Sequence, residues 1–586
     1  MLNRTLHYMI VARILLLGAV LCATWPGGVA MAEDTTVTIM AQYRQDVPVI
    51  YDGAAADEPT LDPQIASDSA SIGAIEGLYE GLTDFDPSNN QIIPRMAVSW
   101  ETSNDGLTWT FNLRNDVMWY QYNPPTDTAQ AMRPVVAGDF QYAIQRLCDP
   151  RLGSFYGTVF ATVLAGCEVV NRTPIDEVTD DLVFGETLQV FVPDDQTLVI
   201  KLQYAASYFL SMSAMWSLFP VYREAIEQYG DEWTAPGNMV THGPFFLKES
   251  IRGVGKIYVR NPDFPADLRY GGNIDIVRLT LIEDGGTVFA LYLDKQLDKA
   301  GIPEAEYEQV LQNPAFQNQI HLQFTTSVYY YGFSYIAPFD NVHIRRAFSA
   351  VIDREAFIAQ NRSGRDLPMI HFTPPGIAHA PPINEVGVGF DPEYARAEMA
   401  AAGYPNCEGF PPIQIVTFQG AESWGAFLAA AAEEYLGCDG TLFEIDALEF
   451  ATLLDAIHPN TTPDNRPEIW TLGWAADYPD AHNYVHDVLA CTVANQMPRI
   501  CTEVDDLIEK ATGETDYLVR NDLYRQIEEA FFGYGGEFPI APVLLGIAHY
   551  LAQPWLTGPF ETRVFGLSGI DPFSIDTAAK LAARGQ

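Results

Sequence analysis

The residues best suited to chemistry lie in Trp470-Thr471-Leu472-Gly473-Trp474-Ala475-Ala476-Asp477-Tyr478-Pro479-Asp480. An apolar run ends in Gly-Trp, one carboxylate follows between small and aromatic neighbours, and Pro479 breaks the chain. Residues 469–474 read as a strand end, and Asp480 as the N-cap of a helix opening near Ala481. Asp477 then falls on a short connection at the carboxyl end of a strand, where open α/β sheets hold their ligands. A carboxylate beside the Trp474 indole and the Tyr478 phenol suits a small cationic group. A plain turn and cap reads the same residues equally well, and the local pattern leaves both open.

Other candidates are weaker. His482 and His486 share a helix face next to Asp487, a spacing that suits a transition metal, but the sequence offers no further ligand and no metal is assigned. The stretch 328–335 alternates, placing Tyr329, Tyr331, Phe333 and Tyr335 on one strand face, either a buried sheet face or a stacking wall for a ligand. The chain has no Gly-x-Ser-x-Gly, no His-Glu-x-x-His and no phosphate-cradling glycine loop. A hydrolytic enzyme is therefore disfavoured, and no cofactor is expected.

The elements that must position these residues belong to a chain of 586 residues, long enough for several cores. Arg4 and Arg13, the apolar stretch 14–22 and Ala30-Met31-Ala32 form a secretory leader cleaved after residue 32; Leu21 before Cys22 argues against a lipid anchor. No later segment reads as membrane-spanning. Cys148, Cys167, Cys407, Cys438, Cys491 and Cys501 remain, without Cys-x-x-Cys spacing. Proximity favours pairing them 148–167, 407–438 and 491–501, as disulfides of an oxidising compartment. The formal charge of −43 excludes nucleic acid and anionic membrane as partners and favours a cationic ligand or simply a well-solvated surface.

Along the chain, 107–113 alternates strictly as a half-buried strand, 72–82 is helical, and 188–192 with 197–202 forms a hairpin. Residues 123–133 are rich in turn formers and read as a surface insertion. Asp340 caps a helix through Val351. Asp391, Pro392 and Gly403 punctuate another helix at both ends. Val519, Leu523, Ile527 and Phe531 form an apolar stripe read as core.

Leu61-Asp62-Pro63, Tyr79-Glu80-Gly81-Leu82, Pro94 to Trp100 and Leu107 to Arg114 occur in an order that resembles the extracytoplasmic solute-binding proteins of peptide-type ABC transporters. The likeness continues at Gly243-Pro244-Phe245, where His242 replaces the usual Asn. It is most specific at Pro338-Phe339-Asp340 through Asp353-Arg354, and recurs at Thr373-Pro374-Pro375-Gly376 and Asp391-Pro392. The resemblance covers nearly all of 35–570.

It implies an α/β fold of the type II periplasmic-binding-protein class, with two ligand-clasping lobes, an extra domain and a hinge. Domain I would comprise 33–78, 204–325 and 532–586, domain II 79–203, and domain III 326–531. Asp477, in register with Gly473 and Trp474, would pair with a ligand α-ammonium, and main chain near Ser67, Asp68 and Ser69 would bind ligand backbone. Trp474, Tyr478, Tyr329 and Tyr331 complete the expected site. The expected function is capture of a peptide or similar solute by a monomer outside the cytoplasm, for delivery to ABC permease subunits. Alternatives are another solute (oligosaccharide, metal chelate), a sensor role and, remotely, a secreted metal-dependent hydrolase.

Overall fold

The computed structural model describes residues 47–54, 57–86, 91–458, 461–492, 499–560 and 570–585. The leader, Cys22 and the strand expected at 37–41 lie outside these residues.

Two large apolar cores organise the chain. The first is built on two four-stranded sheets. In one, Val49–Ala54, Ile276–Leu281, Gly255–Arg260 and Phe245–Ile251 lie side by side; in the other, Ala97–Thr102, Thr108–Leu113, Thr197–Lys201 and Val190–Asp194. Thr108–Leu113 buries Trp109, Phe111 and Leu113 and exposes the residues between them to differing degrees, as strict alternation predicts. Cys148–Cys167 is joined within this core.

The second core surrounds a seven-stranded mixed sheet. Its path runs Lys299–Gly301, Ile540–Ala552, Ile320–Phe333, Ile469–Trp474, Ile413–Phe418 and Phe443–Leu448, with Leu367–Pro368 beside Ile540–Ala552. The three last strands of the path are parallel; the inner two, Ile469–Trp474 and Ile413–Phe418, are mostly buried, and the edge strand Phe443–Leu448 carries Glu444 and Asp446. Cys407–Cys438 and Cys491–Cys501 are joined here, so all three disulfides pair sequence neighbours as expected. The antiparallel strands Ile320–Phe333 and Ile540–Ala552 run from one core to the other: Ala552 packs in the first, Val328 and Leu545 in the second. Their register shifts between Phe324 and Val328, leaving a break in the ladder between the cores.

Several local expectations need correction. Residues 123–133 lie at the surface as expected, but they have regular structure: Met118–Asn123 and Thr128–Pro134 pair as a ribbon around the turn. The helix Val342–Ala350 is capped by Asn341, whose side chain accepts from His343 N–H, rather than by Asp340, which closes the preceding turn onto Ile336 O. The late apolar stripe is core only in its second half. Ile527 and Phe531 are fully buried, whereas Val519 is 48% exposed at the open end of the helix Tyr517–Phe532.

Candidate functional site

Asp477 sits at a junction between the two cores. Ile469–Trp474 delivers it, paired antiparallel with Ile320–Phe333 so that Gly473 lies opposite Tyr329. A Cβ on Gly473 would come within 2.8 Å of the Tyr329 ring, so a side chain here would push the strands apart. Past Trp474 the chain turns, and Ala476 N–H donates to Thr326 Oγ1 at 3.2 Å, inside the break in the ladder.

Asn483 then sets the carboxylate. Its Oδ1 accepts from both Trp474 Nε1 and Asp477 N–H at 3.0 Å, and its Nδ2 reaches Asp477 Oδ2 at 3.4 Å. The other carboxylate oxygen accepts from Tyr156 O–H at 2.7 Å. Tyr156 belongs to the first core, on the helix Phe155–Ala161 that Ser154 caps. Its ring stands edge-on to Trp216, 5.0 Å between centroids, and Trp216 Nε1 donates to Ala66 O at 3.0 Å. One chain of contacts thus connects Asp477 with the segment leading into Ser67, Asp68 and Ser69. Asp68 there caps the helix Ser69–Leu78, and Ser67 and Ser69 are exposed.

The electrostatics of Asp477 are unusual. Burial pushes its carboxyl up to about 6, the Asp487 charge adds to the rise, and the Tyr156 and Asn483 donors offset only part of it. Among the described residues no cation pairs with it. Asp480, three residues on, takes both arms of Arg520 at 2.6 and 2.8 Å and is held below the ordinary carboxylate range: burial opposes this, and Arg520 outweighs it. Asp480 Oδ1 also accepts from His482 N–H, but the N-cap position of the short helix His482–Val485 is Ala481, one residue later than the sequence suggests.

Two members of the expected site are corrected. Tyr331 is fully buried, and its hydroxyl donates to Trp424 O at 2.8 Å; the neighbouring Tyr330 is equally buried, so both faces of this strand stretch are core. Alternation identifies faces, but not whether one of them is open. Tyr478 is also buried. Its ring stacks on Tyr208 of the first core, 5.5 Å apart, and its hydroxyl donates to Asp487 Oδ2 at 2.6 Å. Gly473, Trp474, Tyr329 and Asp477 are brought together. Tyr331 and Tyr478 support the site from behind.

His482, His486 and Asp487 do converge. The two imidazoles stack at 4.1 Å and 17°, so a single ion would lie far out of at least one ring plane, and His482 Nδ1 already meets Tyr478 O–H at 2.8 Å. His486 Nδ1–H donates to Asp487 Oδ1 at 2.7 Å. Burial pushes His482 down to about 3, and the surrounding imidazoles and donors bring Asp487 to about 2 against its own burial. The arrangement is a hydrogen-bond network of Tyr478, His482, His486, Asn483 and Asp487 beside the Asp477 turn. Tyr208 covers it, 3.9 Å from the His482 ring.

Sequence reasoning missed Tyr156, Asn483 and Tyr208. Asn483 carried a faint local signal, six residues past Asp477 on the capped helix. Tyr156 and Tyr208 carried none, because they come from a different core several hundred residues away.

Comparison with known proteins agrees with this architecture. Residues 91–496 match the family model for bacterial extracellular solute-binding proteins, family 5. The periplasmic oligopeptide-binding protein OppA of Escherichia coli is 25% identical over 94% of this chain and 96% of its own length. The probable deoxycholate-binding periplasmic protein YgiS of the same organism is 26% identical over 86% of this chain and 89% of its own. An unliganded open form of the periplasmic murein tripeptide binding protein MppA superposes with a TM-score of 0.72 at 24% identity, covering 90% of this chain and 98% of that one. All three are named for what they bind, and the structural neighbour has the type II periplasmic-binding-protein fold that this chain shares. With most of its length matched and its two cores joined by paired strands, the chain is a binding protein rather than an enzyme, and it belongs to family 5 of the bacterial extracellular solute-binding proteins.

Proposed function

We propose that this chain captures a peptide or peptide-like solute with a free amino terminus outside the cytoplasm and delivers it to an ABC permease. The observation that carries the reading is Asp477: a half-buried carboxylate, oriented by Tyr156 and Asn483, with no cation of its own among the described residues. A ligand ammonium would supply the missing charge and return the carboxyl to its ionised form. Trp474 and Tyr329 would flank it, and main chain near Ser67, Asp68 and Ser69 would pair with ligand backbone, a mode that leaves side chains little to specify.

The lobes would be domain I (33–78, 204–325 and 532–586) and domain III (326–531), with 79–203 as the extra domain and the broken ladder near Thr325 to Ser327 as the hinge. Ligand contacts on both lobes would favour the closed form, which the permease would recognise. Residues 1–32 would direct export and be removed. The relative named for deoxycholate motivates a second reading, a solute without an ammonium held by the same lobes.

Mass spectrometry of ligand released from natively purified protein, followed by a thermal-shift panel, separates the two. Free-amine peptides should stabilise the fold by about 2.7 kcal/mol at a hundred times Kd, and the same peptides N-acetylated should not. A shift with deoxycholate but with none of the peptides would overturn the peptide reading.

A further inference from the structure

We propose that the outer edge of the strand Thr128–Pro134 pairs with the same strand of a second copy, forming a weak two-fold dimer in place of the monomer expected from sequence. This strand is the last of its sheet, beyond Met118–Asn123, and has no strand on its far side among the described residues. Thr128-Ala129-Gln130-Ala131-Met132 carries no charge, and all five residues are exposed. An open ladder of this kind is a template for pairing unless charge or proline blocks it. Arg133 and Pro134 block only the last two positions of this strand and leave five open, whereas Pro193 and Asp194 leave three in the edge strand Val190–Asp194, and Glu444 and Asp446 interrupt the edge strand Phe443–Leu448.

Charge selects a second copy as the occupant. In a chain of formal charge −43, most surfaces of two copies repel, and this uncharged stretch brings no like charges together. An antiparallel pairing centred on Gln130 places Asp127 of one copy opposite Arg133 of the other at both ends, so the strand is complementary to itself under two-fold symmetry. Both end residues already have intrachain partners, Lys248 for Asp127 and Asp139 with Glu224 for Arg133, and pairing would add to these contacts. The ribbon is firmly seated, with Tyr122 stacked on Phe246 at 5.4 Å, so its edge is presented preformed. One strand pair buries much less than a standard interface, which makes the dimer weak and concentration-dependent.

Sedimentation across a concentration series tests this on the full mature chain. The wild type should shift from monomer to dimer as concentration rises. In the proposed register Ala129 faces Ala131 of the other copy. A129K/A131K and A129E/A131E should therefore each remain monomeric with unchanged melting temperature, and an equimolar mixture of the two should recover the dimer. The proposal is overturned if the wild type stays monomeric throughout, or if either double variant dimerises as the wild type does.

Discussion

Asp480 and Asp477 lie three residues apart on one turn. Asp480 is 2% exposed and gripped by Arg520 through two hydrogen bonds, whereas Asp477 is half-buried and receives only a phenol and an amide. Burial raises the carboxyl of both, and the arginine decides the outcome for Asp480 alone. The two positions look alike in sequence, because the guanidinium comes from a helix forty residues later. One carboxylate has its countercharge within the fold, and the other has none among the described residues. A group kept in that condition costs the folded state something, and the ligand ammonium proposed above would offset that cost.

Removing the fold's side of the comparison should have the largest effect. Arg520→Leu leaves Asp480 buried and unpaired, and chemical denaturation should show a loss of about 3–5 kcal/mol; a loss below about 1 kcal/mol would mean that water reaches Asp480 in its place.

Asp477→Asn should behave oppositely. Affinity for a free-amine peptide, read by calorimetry, should fall roughly thirty- to hundredfold, equivalent to about 2–3 kcal/mol. Stability near neutral pH should hold or rise. The sign follows from linkage: with the folded carboxyl raised to about 6, its favourable contribution is complete below the unfolded value near 3.8 and is lost as pH climbs through 6. Asparagine carries no such loss. A variant that binds normally would make Asp477 merely a turn residue.

The same titration should appear in binding. Only ionised Asp477 attracts an ammonium, so affinity for a free-amine peptide should be about tenfold weaker at pH 5 than at pH 7. A flat profile between those values would contradict the raised carboxyl. The smallest effect is expected from Tyr156→Phe. Losing that donor should move the midpoint of the profile upward by less than about one pH unit, with little change in stability; a downward move would show that Tyr156 does not donate to Asp477.

The parts of the fold that could be read in advance were those governed by neighbours in the chain. Strict alternation marked Thr108–Leu113, and Asp391, Pro392 and Gly403 punctuated the helix Pro392–Ala401. Cysteines paired with the next cysteine along. What failed depended on partners supplied from elsewhere. Tyr331 lies on an aromatic strand face that another layer seals, and Tyr478 is covered by Tyr208. The ribbon at 118–134 hides behind prolines and polar residues because one of its strands has nothing to bury. At the site, Asp477, Gly473 and Trp474 were legible from the local motif and the family likeness, while the phenol that orients the carboxylate was not.

The three disulfides have a consequence for biogenesis. Each joins a cysteine to the next one in sequence, across 19, 31 and 10 residues. A polypeptide threaded through a membrane amino end first presents its thiols one at a time, and each second thiol meets a single unpaired predecessor. Of the fifteen pairings open to six cysteines, the order of emergence would select the native one if the chain is exported as proposed, so an oxidase acting during export should suffice without a later isomerase. Because each crosslink closes within one core, none would restrain the lobe closure proposed above.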